Sequence, residues 1–75
     1  MNNTELVLDN IVYRNVQTEL FLNSLAPEKL SQAKVALANV GKDETNENLL
    51  FALAANVPLT CEEWMRASEL YGMFR

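Results

Sequence analysis

Few groups in this chain are able to do chemistry, and they fall in three places: Ser24, the acidic run Asp43, Glu44 and Glu47, and the cluster Cys61-Glu62-Glu63. Cys61 is the sole thiol and His is absent, so the commonest general base is missing and a Cys/His set for zinc cannot be assembled. The first turn of a helix favours negative charge, whereas the flanking Glu62 and Glu63 repel it, so nothing singles the thiol out as a nucleophile. Cys61 therefore reads as a small core residue. Glu62 and Glu63 are consecutive, which turns them about 100° apart on a helix and keeps them from converging on one substrate atom. Asp43, Thr45 and Glu47 alternate like the first ligands of a calcium loop. Its sixth and twelfth positions, which need Gly and Glu, hold Asn48 and Ala54. The acids are better read as charges at a helix N-terminus, where exposed N–H groups and the macrodipole favour them. Gly41 and Gly72 stand too far apart to build a phosphate loop. No catalytic residue, cofactor or metal is assigned, and the chain reads as a non-enzyme.

Ser24 lies ahead of the second helical segment, and in outline this is similar to the acyl-carrier family, small acidic helical domains with a modified Ser at a helix start. The family's Asp before that Ser is Asn23 here, and its long preceding loop is missing. Ser24 is more simply a turn or capping residue.

The elements that position these residues read as helices. Pro27 suits a first helical turn and Gly41 the left-handed residue just past a helix end. Between them Leu30, Ala33, Leu37 and Val40 form one face, with Val35 pointing outward. The run Asn48–Cys61 is the longest charge-free stretch, and Leu49, Leu50, Phe51 and Leu53 point to all sides of a helix over about 45–55 that stops before Pro58. Such a helix is enclosed by others or meets a partner. A fourth helix opens with the capping box Thr60-Cys-Glu-Glu63. It places Cys61, Trp64, Met65, Ser68 and Tyr71 on one face, with a Glu62–Arg66 ion pair on the other, and ends near Gly72. The first segment, about 4–23, has a stripe of Leu8, Ile11, Val12, Val16 and Leu22 that Asn15 and Glu19 interrupt. It reads as a helix, with a hairpin over Leu6–Leu8 and Ile11–Tyr13 around Asp9-Asn10 as the alternative.

The fold predicted is thus all-α, four short helices in a single domain over residues 1–75. A chain of this length buries only about 60% of its unfolded surface, which makes a partner or a second copy a reasonable source of stability. The N-terminus lacks the basic start of a secretory signal, and no apolar run reaches the roughly 20 residues a bilayer span requires, so the chain is expected to be cytoplasmic. With a net charge of −4 and its six cations scattered singly, it is poorly suited to phosphate backbones. Residues 49–71 resemble a helix-turn-helix in spacing, with Ala52 four before Asn56. The would-be recognition helix, however, carries Glu62, Glu63 and Glu69 against Arg66 alone.

The expected function is a non-catalytic regulator or adaptor that binds a protein with a basic surface and self-associates as a homodimer. The alternative is a small DNA-binding transcription regulator. Aromatic and Met side chains concentrate at interface centres. On that ground the expected partner interface is Leu50, Leu53, Trp64, Met65, Tyr71, Met73 and Phe74, with Phe51 and Trp64 leaning towards the core.

Overall fold

A computed structural model describes the backbone of residues 3–74 and the side chains of 10–74. Four helices follow one another: α1 (Asn3–Ser24), α2 (Pro27–Asn39), α3 (Asn46–Asn56) and α4 (Cys61–Gly72), with no strand among the described residues. The backbone is helical through 6–13, so the hairpin alternative has no counterpart there. No helix of the described residues is long and apolar enough to cross a membrane.

The helix ends follow the local chemistry. Pro27 begins α2, and Gly41 ends it at φ +68°. There the Gly41 N–H donates to the Ala38 carbonyl (3.1 Å) and the Lys42 N–H to that of Leu37 (3.0 Å). These two bonds make a Schellman motif, which uses the left-handed residue to satisfy carbonyls the helix leaves unpaired. The Thr45 hydroxyl caps α3 by accepting from the Asn48 N–H at 3.1 Å, and the Asn48 amide donates back to the Asp43 carbonyl at 2.9 Å. At the other end Val57 is extended (φ −113°, ψ 135°), as a residue before proline must be. In α4 the Glu63 N–H donates to the Thr60 hydroxyl (3.1 Å) and the Thr60 N–H to the Glu63 carboxylate (2.9 Å), a reciprocal capping box. The Ser24 hydroxyl donates to the Phe21 carbonyl at 2.7 Å, closing the last turn of α1.

α3 is the element that touches all the others, packing chiefly on α2 and α4 and less extensively on α1. One core cluster joins Phe21, Leu22 and Leu25 to Ala33 and Leu37, to Leu49, Leu50, Ala52 and Leu53, and to Val57, Ala67 and Leu70. α3 thus encloses most of its apolar surface within the monomer.

Three helix faces differ from the sequence expectation. On α2, Ala33 and Leu37 are buried but Val40 is exposed, because the helix has already turned into its Schellman end at that residue. On α4 the inward face is Ala67 and Leu70 flanked by Glu63, Tyr71 and Phe74, while Cys61, Trp64 and Met65 are exposed. Ala67 lets the backbone approach its neighbours closely, so the smallest residue, not the aromatic one, sets the face. On α1 the inward side is Thr18, Phe21 and Leu22, and Val12 and Val16 point to solvent.

Candidate functional site

Between α2 and α3 the sequence leaves a gap lined by small residues, Ala36 and Ala52, with larger apolar groups at its edges. The result is a groove of about 400 Å³ floored by Ala36, Leu37 and Ala52 and walled by Val40 and Phe51. Asn39, Asn56 and Lys42 supply polar atoms at its rim. It runs on through Ala36, Asn39 and Asn56 into a shallower hollow beside Ser31, Gln32 and Val35. Phe51 is 51% exposed and holds its ring against Tyr71, centroids 5.7 Å apart and planes tilted by 51°. An exposed aromatic braced by a second ring is preorganised, so little rotamer entropy is lost when something docks on it. Glu47 stands one helical turn before Phe51 on α3, at the dipole-favoured end of that helix.

The residues expected at a partner interface separate into three groups. Leu50 and Leu53 are wholly inside the monomer and present nothing to a docking partner, because α2 and α4 flank α3. Tyr71 and Phe74 are partly buried: Tyr71 braces Phe51, and the Arg14 guanidinium lies 4.2 Å over the Phe74 ring. Trp64, Met65 and Met73 are exposed. Trp64, at 51%, and Phe51 are surface residues and not core ones, a correction to their expected placement. Cys61 is also exposed and unpaired by any disulfide, its Sγ lying 4.0 Å from the Met65 Sδ. Among the described residues no three acids, Cys or His gather as a metal site. The α2–α3 groove went unseen in the sequence. Its signal, alanines at 36 and 52 facing each other across two helices, acquires meaning only when the pairing is known.

Ion pairs tie the helices. Lys29 on α2 reaches Glu63 on α4, while Lys34 and Glu44 lie 3.9 Å apart at the exposed surface. The expected Glu62–Arg66 pair is replaced. Arg66 donates to Glu69 at 2.7 Å and to the Gln17 side-chain oxygen on α1 at 3.1 Å, so it faces α1, away from Glu62. In the α3–α4 connection, which a helix-turn-helix would use, Val57 is buried as that motif requires. Yet Arg66 is committed to Glu69 and Gln17 of its own chain, and Glu62 and Glu69 lie at the surface.

Glu63 has two roles at once, capping α4 and bridging to α2. The Lys29 hydrogen bond first, then the Thr60 N–H, hold its carboxyl below the usual carboxylate range. A carboxyl whose folded pKa is depressed contributes stability that is present above its unfolded value, about 4.5, and is lost as pH falls through the lower folded value. Thermal unfolding at about pH 6 and about pH 3 should therefore show a smaller drop in midpoint for Glu63→Gln than for wild type, since Gln keeps the cap but does not titrate. Equal drops in both proteins would show that Glu63 has no part in the acid sensitivity.

No family model matches the chain, and no curated protein or solved structure matches it.

Proposed function

We propose that the chain is a small, non-catalytic, cytoplasmic regulator or adaptor that acts by holding a segment of another protein in the α2–α3 groove. The observation that carries this reading is Phe51, half exposed and braced by Tyr71 at the wall of an apolar groove whose edges are polar. An apolar centre with a polar rim is the usual anatomy of a protein-binding patch, and rigid aromatic anchors dominate such sites energetically. Asp43 follows the groove's Lys42 in sequence and Glu47 stands one helical turn before Phe51, both without ion-pair partners among the described residues, and the chain carries a net charge of −4. The partner segment that fits presents an apolar side chain flanked by basic residues.

The test uses the full chain, tagged, as bait in lysate of its native host, with Phe51→Glu and Val40→Glu as groove variants and Glu69→Gln as a control away from the groove. A protein captured by wild type and by the control should fall by about tenfold or more with both groove variants, the loss expected when one buried anchor of roughly 1.4 kcal/mol or more is removed. Far-UV circular dichroism checks that both variants stay helical. Identical capture by all four proteins overturns the groove reading. A duplex-DNA shift by the purified wild type with a steep salt dependence favours the helix-turn-helix alternative instead.

A further inference from the structure

The groove between α2 and α3 does not end at its apolar part. Past Asn39 and Asn56 it opens into the shallower hollow of about 310 Å³, lined otherwise by Ser31, Gln32, Val35 and Ala36. Asn39 is the last residue of α2 and Asn56 the last of α3, so two helix C-termini meet at this one place. Neither helix has a basic residue in its last turn to offset the negative end of its macrodipole. The carbonyls there are also short of donors. Pro58 has no N–H to give the Ala54 carbonyl, and among the described residues no donor reaches the carbonyls of Asn39, Ala54, Ala55 or Asn56. The side-chain amides of Gln32, Asn39 and Asn56 make no hydrogen bond among the described residues either.

The free charge on the hollow's own margin is negative. Lys29 is bound to Glu63, and Lys34 lies 3.9 Å from Glu44. Glu28, in the first turn of α2, has no ion-pair partner among the described residues. It stands three and four positions before Ser31 and Gln32, on the same side of the helix. Lys42, the cation that lines the groove, lines its apolar part and not the hollow, and is followed by Asp43.

We infer that the hollow is an arginine subsite, which takes the guanidinium of an arginine next to the apolar anchor of the partner segment. This rests on the groove reading above and adds to it the place where one of the partner's basic residues is held. The apolar part and the hollow share Ala36, Asn39 and Asn56, so neighbouring residues of one short segment can fill both. An acidic side chain would meet two helix C-termini and Glu28, each of which repels it. Between the two basic side chains the hollow favours arginine, because its lining is polar but uncharged. An ammonium is strongly hydrated and gives up more water than neutral oxygens return, whereas the weakly hydrated guanidinium spreads five donors in one plane over several acceptors.

Nuclear magnetic resonance titration of the full, isotope-labelled chain tests this with three capped dipeptides: acetyl-leucyl-arginine amide, its citrulline counterpart, which has the same outline without the charge, and its lysine counterpart. The arginine peptide is expected to bind with a Kd of about 1 mM, shifting the backbone amides of Val40 and Phe51 and the side-chain amides of Gln32, Asn39 and Asn56. The citrulline peptide should keep the shifts at Val40 and Phe51, lose most of the others and bind at least about fivefold more weakly, since its hydrogen bonds are not charge-assisted. The lysine peptide should bind more weakly than the arginine one. Gln32 is exposed, so Gln32→Lys leaves the fold intact and puts a cation in the hollow. It should weaken the arginine peptide by about tenfold and the citrulline peptide by less than about twofold. Equal binding of the arginine and citrulline peptides, lysine binding as tight as arginine, or arginine-peptide shifts confined to Val40 and Phe51 overturns the subsite and leaves the groove reading standing. An arginine peptide that shifts nothing in the groove at about 10 mM overturns the subsite as well, and capture with Phe51→Glu then decides the groove reading separately.

Discussion

Replacing Leu50 with Ala is expected to cost about 2–5 kcal/mol of folding stability. Leu50 is wholly inside the core, on the helix that meets each of the other three, so the cavity left behind is walled by several elements that cannot all close in on it. A domain of 75 residues has a total stability of roughly 4–11 kcal/mol, and the substitution removes a large share of it. With about 4–8 °C of midpoint per kcal/mol at this size, the transition should fall by about 8 °C or more in a thermal scan. The neighbouring Phe51→Ala, which loses a half-exposed ring and its tilted contact with Tyr71, should cost about 0.5–1.5 kcal/mol. Should the two substitutions prove equal in urea titrations, the assignment of Leu50 to the core and Phe51 to the surface would be wrong.

That contrast also marks how far the sequence could be read. Helix ends were legible because their causes are local: Pro27 and Gly41 bound α2, the residue before Pro58 turns extended, and Thr60 with Glu63 caps α4. α3 was legible as the central element from its apolar density. Which side of each helix faces inward was less so, since that depends on how closely two backbones approach. Ala67 and Leu70 form the inward face of α4, and Trp64 and Cys61 are displaced to the surface although size and hydrophobicity favoured them for the interior. Arg66 chose Glu69 and Gln17 over Glu62 because α1 lies on that side, a fact no local pattern contains. The groove had the same obstacle, being a relation between two helices and not a property of either. Of the expected interface residues, Leu50 and Leu53 were misplaced for the complementary reason: strongly apolar residues mark cores and interfaces alike.

The sharpest consequence of α1's orientation concerns Thr18. Its side chain is fully buried, and its hydroxyl has no hydrogen-bond partner. A buried hydroxyl without a partner carries a desolvation penalty of about 1–3 kcal/mol, and an apolar group of the same shape carries none. Thr18→Val keeps the branched outline, replaces the hydroxyl with a methyl group among core neighbours and has a similar helix propensity. It is therefore expected to stabilise the fold by about 1–3 kcal/mol, visible as a higher urea midpoint at unchanged slope. This runs against the common expectation that core substitutions destabilise, which gives the measurement its force. A Thr18→Val protein less stable than wild type by about 1 kcal/mol would mean that the hydroxyl is satisfied in solution, and that α1 sits on the bundle in a different rotation. Because Val12, Val16 and Leu20 point outward only if Thr18 points inward, this one stability measurement also tests the rotation of α1 on the bundle.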